Sequence, residues 1–198
     1  RHERTGATMT RRASSVVLAT GGFQSNRDLV KANWPREVPV PSRILLGAGI
    51  NALGSGLDIA RSAGAATTRL DHQWNYPRGI VDPRYPDAER GLNVILGTRF
   101  PWVNARGVRI WAEKVGDMLA QPDGRVVLIF DADGRRDFRV AGTDWADRAK
   151  VEALLDNPQV ARQAASIEEL ARKVGLPAED LARTVARWNA LVTSGDDT

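Results

Sequence analysis

The sequence predicts an α+β chain, and three stretches predict it. Near the start, Ser14–Phe23 joins a short apolar run to paired glycines and a helix start. Between residues 92 and 130, apolar runs of strand length alternate with turn residues, and from Ala146 onward the pattern is helical. Strands grouped ahead of helices read as α+β.

The elements follow in order. Thr5–Thr10 mixes turn and β-branched residues, so residues 1–20 read as a hairpin or strand pair. Val16, Val17 and Leu18 form an unbroken apolar run, read as a strand buried on both faces. Thr20-Gly21-Gly22 stops it. Two glycines allow a turn with positive φ, or a close approach to a flat or anionic ligand. A plain tight turn is the alternative. Ser25 or Asn26 caps a helix beginning near Asp28. Pro35, Pro39 and Pro41 then mark an extended crossover between domains.

Ser55 is expected to cap a helix over 56–63, with Leu57, Ile59, Ala60 and Ala63 on its buried side and Gly64 as its stop. Thr67–Leu70 favours a strand, and Trp74–Arg90, with three prolines, reads as a long irregular loop. Leu92–Leu96 and Phe100–Asn104 are strand-like, and Ala105-Arg106-Gly107 turns the second into Val108–Trp111 as a hairpin. Val126–Phe130 is a further strand, ended by a turn at Asp131–Gly134. Leu92–Leu96, Trp102–Asn104, Val108–Trp111 and Val126–Phe130 are expected to share one sheet, with the C-terminal helices packed on it.

Those helices are well marked. One covers Ala146–Leu155 and closes before Pro158. Ser166 and Glu169 make a capping box for a helix to Val174, stopped by Gly175. Pro177 fits the first turn of another, whose stripe of Leu181, Val185, Trp188 and Val192 reads as core.

Composition narrows the function. The 198 residues are 42% hydrophobic and 26% charged, ordinary values for a globular chain. With no cysteine, disulfides, thiolate catalysis and iron–sulfur ligation are excluded. The net charge of +4 is spread along the chain without a basic stripe, so nucleic acid is not an expected partner. No apolar run approaches the ~20 residues of a membrane span. Arg1-His2-Glu3-Arg4 leads into no apolar segment, so the expected location is cytoplasmic.

Four words stand in order: Val16–Phe23 (Val-Val-Leu-Ala-Thr-Gly-Gly-Phe), Asn51–Ala60, Ala63-Gly64-Ala65 and Val103–Arg109. Together with Ser166–Ala171 and Val185–Asn189 they resemble the fumarate reductase/succinate dehydrogenase type of FAD-dependent oxidoreductase, a group that also holds the 3-ketosteroid dehydrogenases. The resemblance implies FAD as cofactor. It also implies that this is the middle of a longer flavoprotein. Residues 1–24 would be the terminal strands of the FAD-binding domain, a small β remnant, and 25–198 the capping, or substrate, domain. The partners implied are a small-molecule substrate and the remaining FAD-domain segments, and the isolated chain is expected to be inactive.

The same resemblance assigns cofactor contacts to Ala19, Thr20, Gly21 and Gly22, and to Asn51, Gly54, Ser55 and Gly56. Ser55 stands where the family carries an aspartate, so a charge is lost there. Backbone N–H groups at a helix start still suit a polar or anionic ligand. On the substrate side, His72 matches the family's histidine, with an ordinary loop histidine as the alternative. Leu92, Asn93 and Leu96 fall where Thr-Glu and an arginine would clamp a dicarboxylate, and no arginine follows Glu113 in Lys114–Asp117. Tyr76 is a candidate general acid or base, with aromatic packing as the alternative. Glu113 is expected in an ion pair with Arg109. Asp131 and Asp133 are too few oxygens for a calcium loop.

The expected function is oxidation or reduction of a carbon–carbon bond beside an activating carbonyl. Trp74, Tyr76, Phe100 and Trp102 favour a cyclic or apolar substrate over a dicarboxylate. The alternatives are a non-catalytic binding or interaction module without FAD, favoured by the lack of Gly-x-Gly-x-x-Gly in these residues, and a true dicarboxylate reductase whose clamp comes from other segments.

Overall fold

A computed structural model describes residues 4–47, 49–86, 89–95, 100–111, 115–121 and 124–195. Helices α1 (Arg27–Ala32) and α2 (Ser55–Ser62) precede strands β1 (Gly79–Val81), β2 (Gly91–Asn93), β3 (Trp102–Val103) and β4 (Arg109–Ile110). Helix α3 (Val115–Leu119), strand β5 (Val127–Leu128) and helices α4 (Ala132–Asp137), α5 (Arg148–Asp156), α6 (Ile167–Val174) and α7 (Ala178–Ser194) complete the order. A one-turn 3-10 helix, Thr143–Trp145, lies before α5.

The strands form two antiparallel sheets rather than one. β1 pairs with β2, and β3 lies between β4 and β5. The expectation of a single sheet is therefore corrected: Leu92 pairs with Ile80, inside the stretch read as irregular loop. The edge of β2 is held by other bonds, for Ala141 N–H donates to Asn93 O at 2.9 Å and Ile95 N–H to Arg139 O at 3.0 Å.

Alternation along β3 gives the three-stranded sheet two buried faces. Trp102, Ile110 and Leu128 face a core with Leu92, Val94, Phe138, Val151, Leu154 and Leu155. Val103 and Ile129 face a second core with Ala171, Leu176 and Leu181, so the C-terminal helices do pack on this sheet. The hairpin turn fits against α7. At Gly107 (φ +72°) an added Cβ would lie 3.0 Å from the Leu181 backbone nitrogen, and Thr184 Oγ1 donates to Gly107 O at 2.7 Å. Arg109 is stacked between Trp111 and Trp188, 4.3 and 4.4 Å from their centroids. Its expected partner Glu113 lies outside the described residues, as does Leu96.

The helix signals were mostly readable, with corrections. Ser166 accepts from Glu169 N–H, and Gly175 closes α6 in the left-handed region. Asn26 caps α1. For α2 the cap is Gly54, at φ +94°, rather than Ser55. Of its expected buried side, Leu57 and Ala60 are half-buried while Ala63 is exposed and Ile59 is 56% exposed, and the buried residue of α2 is Gly56. Asp131, read as part of a turn, caps α4 by accepting from Asp133 and Gly134 N–H.

Three expected strands are not formed. Thr5–Thr10 and Thr67–Leu70 form no strand among the described residues, and Arg69 takes φ +56°. Val16 and Val17 are 78% and 89% exposed. A strand buried on both faces needs ladder partners and covering layers, and no described residue supplies them. Among the described residues, no helix is long and apolar enough to cross a membrane.

The irregular connection between β1 and β2 is fixed by Asp82, which is 1% exposed. Burial alone would raise its carboxyl, but the Arg84 guanidinium and backbone N–H outweigh that and hold it below the usual carboxylate range. Arg84 Nε donates to Oδ1 at 3.0 Å and Nη2 to Oδ2 at 2.8 Å, while the guanidinium lies 4.6 Å from the Trp145 ring.

Candidate cofactor and substrate site

The two glycine words, about thirty residues apart in sequence, lie against each other. Ser25 N–H donates to Ala52 O at 3.0 Å, Ser25 Oγ to Gly49 O at 2.8 Å, and Asn26 Nδ2 to Leu53 O at 3.3 Å. Gly56 is required by this packing, because a Cβ there would lie 1.8 Å from Thr20 Oγ1. Gly54 combines its positive φ with contacts of 2.9 Å to Leu29 Cδ2 and 3.2 Å to Phe23 Cβ for the same hypothetical atom. Gly21 needs its glycine for φ +76°.

The outer side of this junction is open. Ala19, Thr20, Gly21, Gly22, Asn51 and Ser55 are all exposed. At Gly22 a Cβ would meet only the flexible end of Gln24. The first N–H groups of a helix have no intrahelical acceptor, and no side chain caps α2. Exposed glycine backbone beside an uncapped helix start suits the polar or anionic portion of a large ligand.

A second feature lies at the other end of α1. An open groove of about 540 Å³ is lined by Trp34, Pro35, Val38, His72, Gln73, Trp74, Asn75 and Leu119. Gln73 ties it to the helix, its Nε2 donating to Val30 O at 3.0 Å and Asn33 O at 2.7 Å. With Ser25 and its cap Asn26 bonded to the 49–53 turn, six-residue α1 spans about 9 Å between groove and glycine junction.

Of the candidate catalytic residues, His72 lines the groove and Tyr76 reaches it only through Trp74. The Trp74 and Tyr76 rings stack with centroids 6.2 Å apart. His72 Nδ1 lies 3.1 Å from Asp71 Oδ1, and hydrogen bonding from His72 holds the Asp71 carboxyl below the usual range. Of the residues matched to the missing clamp, Leu92 is buried in the core. Phe100 and Trp102, read as substrate-facing aromatics, also belong to that core. Among the described residues, no cluster of His, Asp and Glu could hold a metal ion.

Sequence reading missed Trp34 and Val38, in the stretch that follows α1, and Leu119, which α3 brings to the groove. It missed Gln73 because its two acceptors lie some forty residues away. Gly49 carries a sequence signal in the Gly47-Ala48-Gly49 spacing.

The family model described as FAD binding domain matches residues 1–198. The chain belongs to this FAD-binding domain family. FAD is its cofactor, and its relatives are flavoprotein dehydrogenases and reductases. A KsdD-like steroid dehydrogenase of Mycobacterium tuberculosis is 38% identical over 102 residues, covering 50% of this chain and 18% of the relative. A probable fumarate reductase, Ifc3, of Shewanella frigidimarina is 30% identical over 194 residues, covering 94% and 29%. A 3-oxosteroid 1-dehydrogenase of Mycobacterium tuberculosis is 30% identical over 201 residues, covering 96% and 35%. The open conformation of a flavocytochrome c3 fumarate reductase superposes with a TM-score of 0.58 at 26% identity, covering 93% of this chain and 30% of that one. The chain thus spans about a third or less of the length of these proteins.

Proposed function

We propose that the chain belongs to an oxidoreductase that acts on a CH–CH or C=C bond beside an activating carbonyl of a cyclic or apolar substrate. Residues 1–24 belong to the FAD-binding part in this reading, and 25–198 to the capping part. The observation that carries the substrate class is the groove: its lining among the described residues is aromatic and aliphatic with neutral amides and one imidazole, and includes no arginine or lysine. A dicarboxylate needs paired cationic donors, and a carboxylate desolvated without one is penalised by several kcal/mol. Two relatives named for steroid substrates support the same class.

Bound FAD would supply the chemistry of hydride exchange with a substrate carbon. The chain's own residues hold the reactants. Ala19–Gly22, Asn51 and Gly54–Gly56 would hold the cofactor with their backbone, and Ser55 would offer it a hydroxyl at the helix start. Trp34 and Trp74 cover the flat faces of the substrate and displace water. His72, held through Nδ1 by Asp71, keeps Nε2 free to move a proton at the neighbouring carbon. Tyr76, stacked on Trp74, is the second candidate for that step.

A dicarboxylate reductase is the second reading, favoured by the fumarate reductase matches. It requires cationic donors from outside the groove's lining. Steady-state turnover of the full-length flavoprotein separates the two. Cyclic enones and ketosteroids are expected to turn over at least tenfold faster than fumarate. Efficient fumarate reduction without turnover of the cyclic compounds would overturn the proposal.

A further inference from the structure

We propose that Asn75 is the specificity-determining residue of the groove, donating a hydrogen bond from Nδ2 to a neutral carbonyl oxygen on a fused-ring ligand; this rests on reading the groove as the substrate site. Among the described residues, three polar side chains besides tryptophan line the groove, and their bonds can be followed individually. Gln73 gives both protons of Nε2 to Val30 O and Asn33 O, so its amide is fixed to α1 and has no donor left. His72 is engaged at Nδ1 with Asp71. Asn75 is half-buried and has no hydrogen-bond partner among the described residues.

That leaves Asn75 as the amide donor open to a ligand. An apolar ring settling between Trp34, Val38, Trp74 and Leu119 takes water from these walls, and a half-buried amide shut off from water without a partner is destabilised. A ligand oxygen placed against Nδ2 removes that penalty. With no cation lining the groove among the described residues, a neutral oxygen is selected over a carboxylate. Of neutral oxygens, a carbonyl only accepts, so it depends on the donor of Asn75, whereas an alcohol can also give its proton to the amide oxygen.

The test is equilibrium binding of α-tetralone, α-tetralol and tetralin to the full-length FAD-loaded protein, read by calorimetry and saturation-transfer NMR. Wild type should bind the ketone about 10-fold more tightly than the hydrocarbon, the worth of one neutral hydrogen bond. Asn75→Leu should abolish that difference and leave tetralin unchanged, which also shows the groove intact. Asn75→Asp keeps an acceptor and loses the donor, so it should weaken α-tetralone at least tenfold and spare α-tetralol. Equal ketone binding by wild type and both variants would overturn the assignment while leaving the groove a ring site. Failure of all three probes to bind wild type would overturn the groove reading along with it.

Discussion

At the scale of single residues, the contact between Gly56 and Thr20 links sequence to site most directly. Both positions were visible as members of family words, yet their relation was not, because nothing local says that a glycine in one word exists to admit a threonine from another. The structure supplies that reason: a Cβ at Gly56 would lie 1.8 Å from Thr20 Oγ1 and 3.1 Å from its Cβ. Gly56→Ala should therefore push the two segments apart at the cofactor junction. FAD affinity of the full-length protein is expected to fall at least tenfold, measured by flavin fluorescence. Adding Thr20→Ala removes the closer of the two atoms and should recover most of the loss, a coupling that independent sites would not show. Loss of affinity that the second substitution leaves untouched would disprove the packing explanation.

At the scale of elements, the readable ones carry their signals within a few residues. Ser166 with Glu169 and Gly175 defined α6 because capping is a local hydrogen-bond problem. The β3–β4 hairpin was legible because the turn Ala105-Arg106-Gly107 and the apolar alternation agree, with Asn104 Oδ1 accepting from Arg106 and Val108 N–H at 3.0 and 3.1 Å. Sheet membership was not legible. The partner of Leu92 lies across the proline-rich stretch, and what shapes that connection is buried Asp82 rather than any local pattern. Asp82 also makes this element acid-sensitive. Its carboxyl titrates below the usual value of 3.8 in the folded chain, so its stabilising effect is complete above that value and lost as pH falls through the lower folded one. Asp82→Asn should cost about 1–3 kcal/mol at neutral pH, the worth of hydrogen bonds to a charged group. It should also flatten the stability profile below about pH 4 relative to wild type. Parallel urea titrations at neutral and acid pH measure both effects, and an unchanged acid slope would remove Asp82 as a cause.

At the scale of the whole molecule, the α+β reading and the C-terminal packing were legible because β3 carries apolar residues on both faces and amphipathic helices follow it. The opening apolar run misled for the complementary reason: Val16–Leu18 states what a strand needs but not where its neighbours are, and here they are not among the described residues. The same reasoning sets an expectation for cofactor retention. At the cofactor junction the described residues offer the Gly21-Gly22 turn, the uncapped start of α2 and the backbone between them. The chain contains no Gly-x-Gly-x-x-Gly and spans 18–35% of the length of the relatives compared above. In dinucleotide-binding folds that missing word places the pyrophosphate on a helix N-terminus after a strand. Without it, the ordering cost of a large flexible ligand is met by only part of the contacts that normally offset it. The purified 198-residue chain is therefore expected to pass through gel filtration with added FAD and emerge with well under one flavin per chain, while the full-length protein retains it. Absorbance in the flavin bands against protein concentration gives the ratio. A stable yellow species at one FAD per chain would mean that the junction of Thr20–Gly22 with Gly54–Gly56 is a sufficient site by itself.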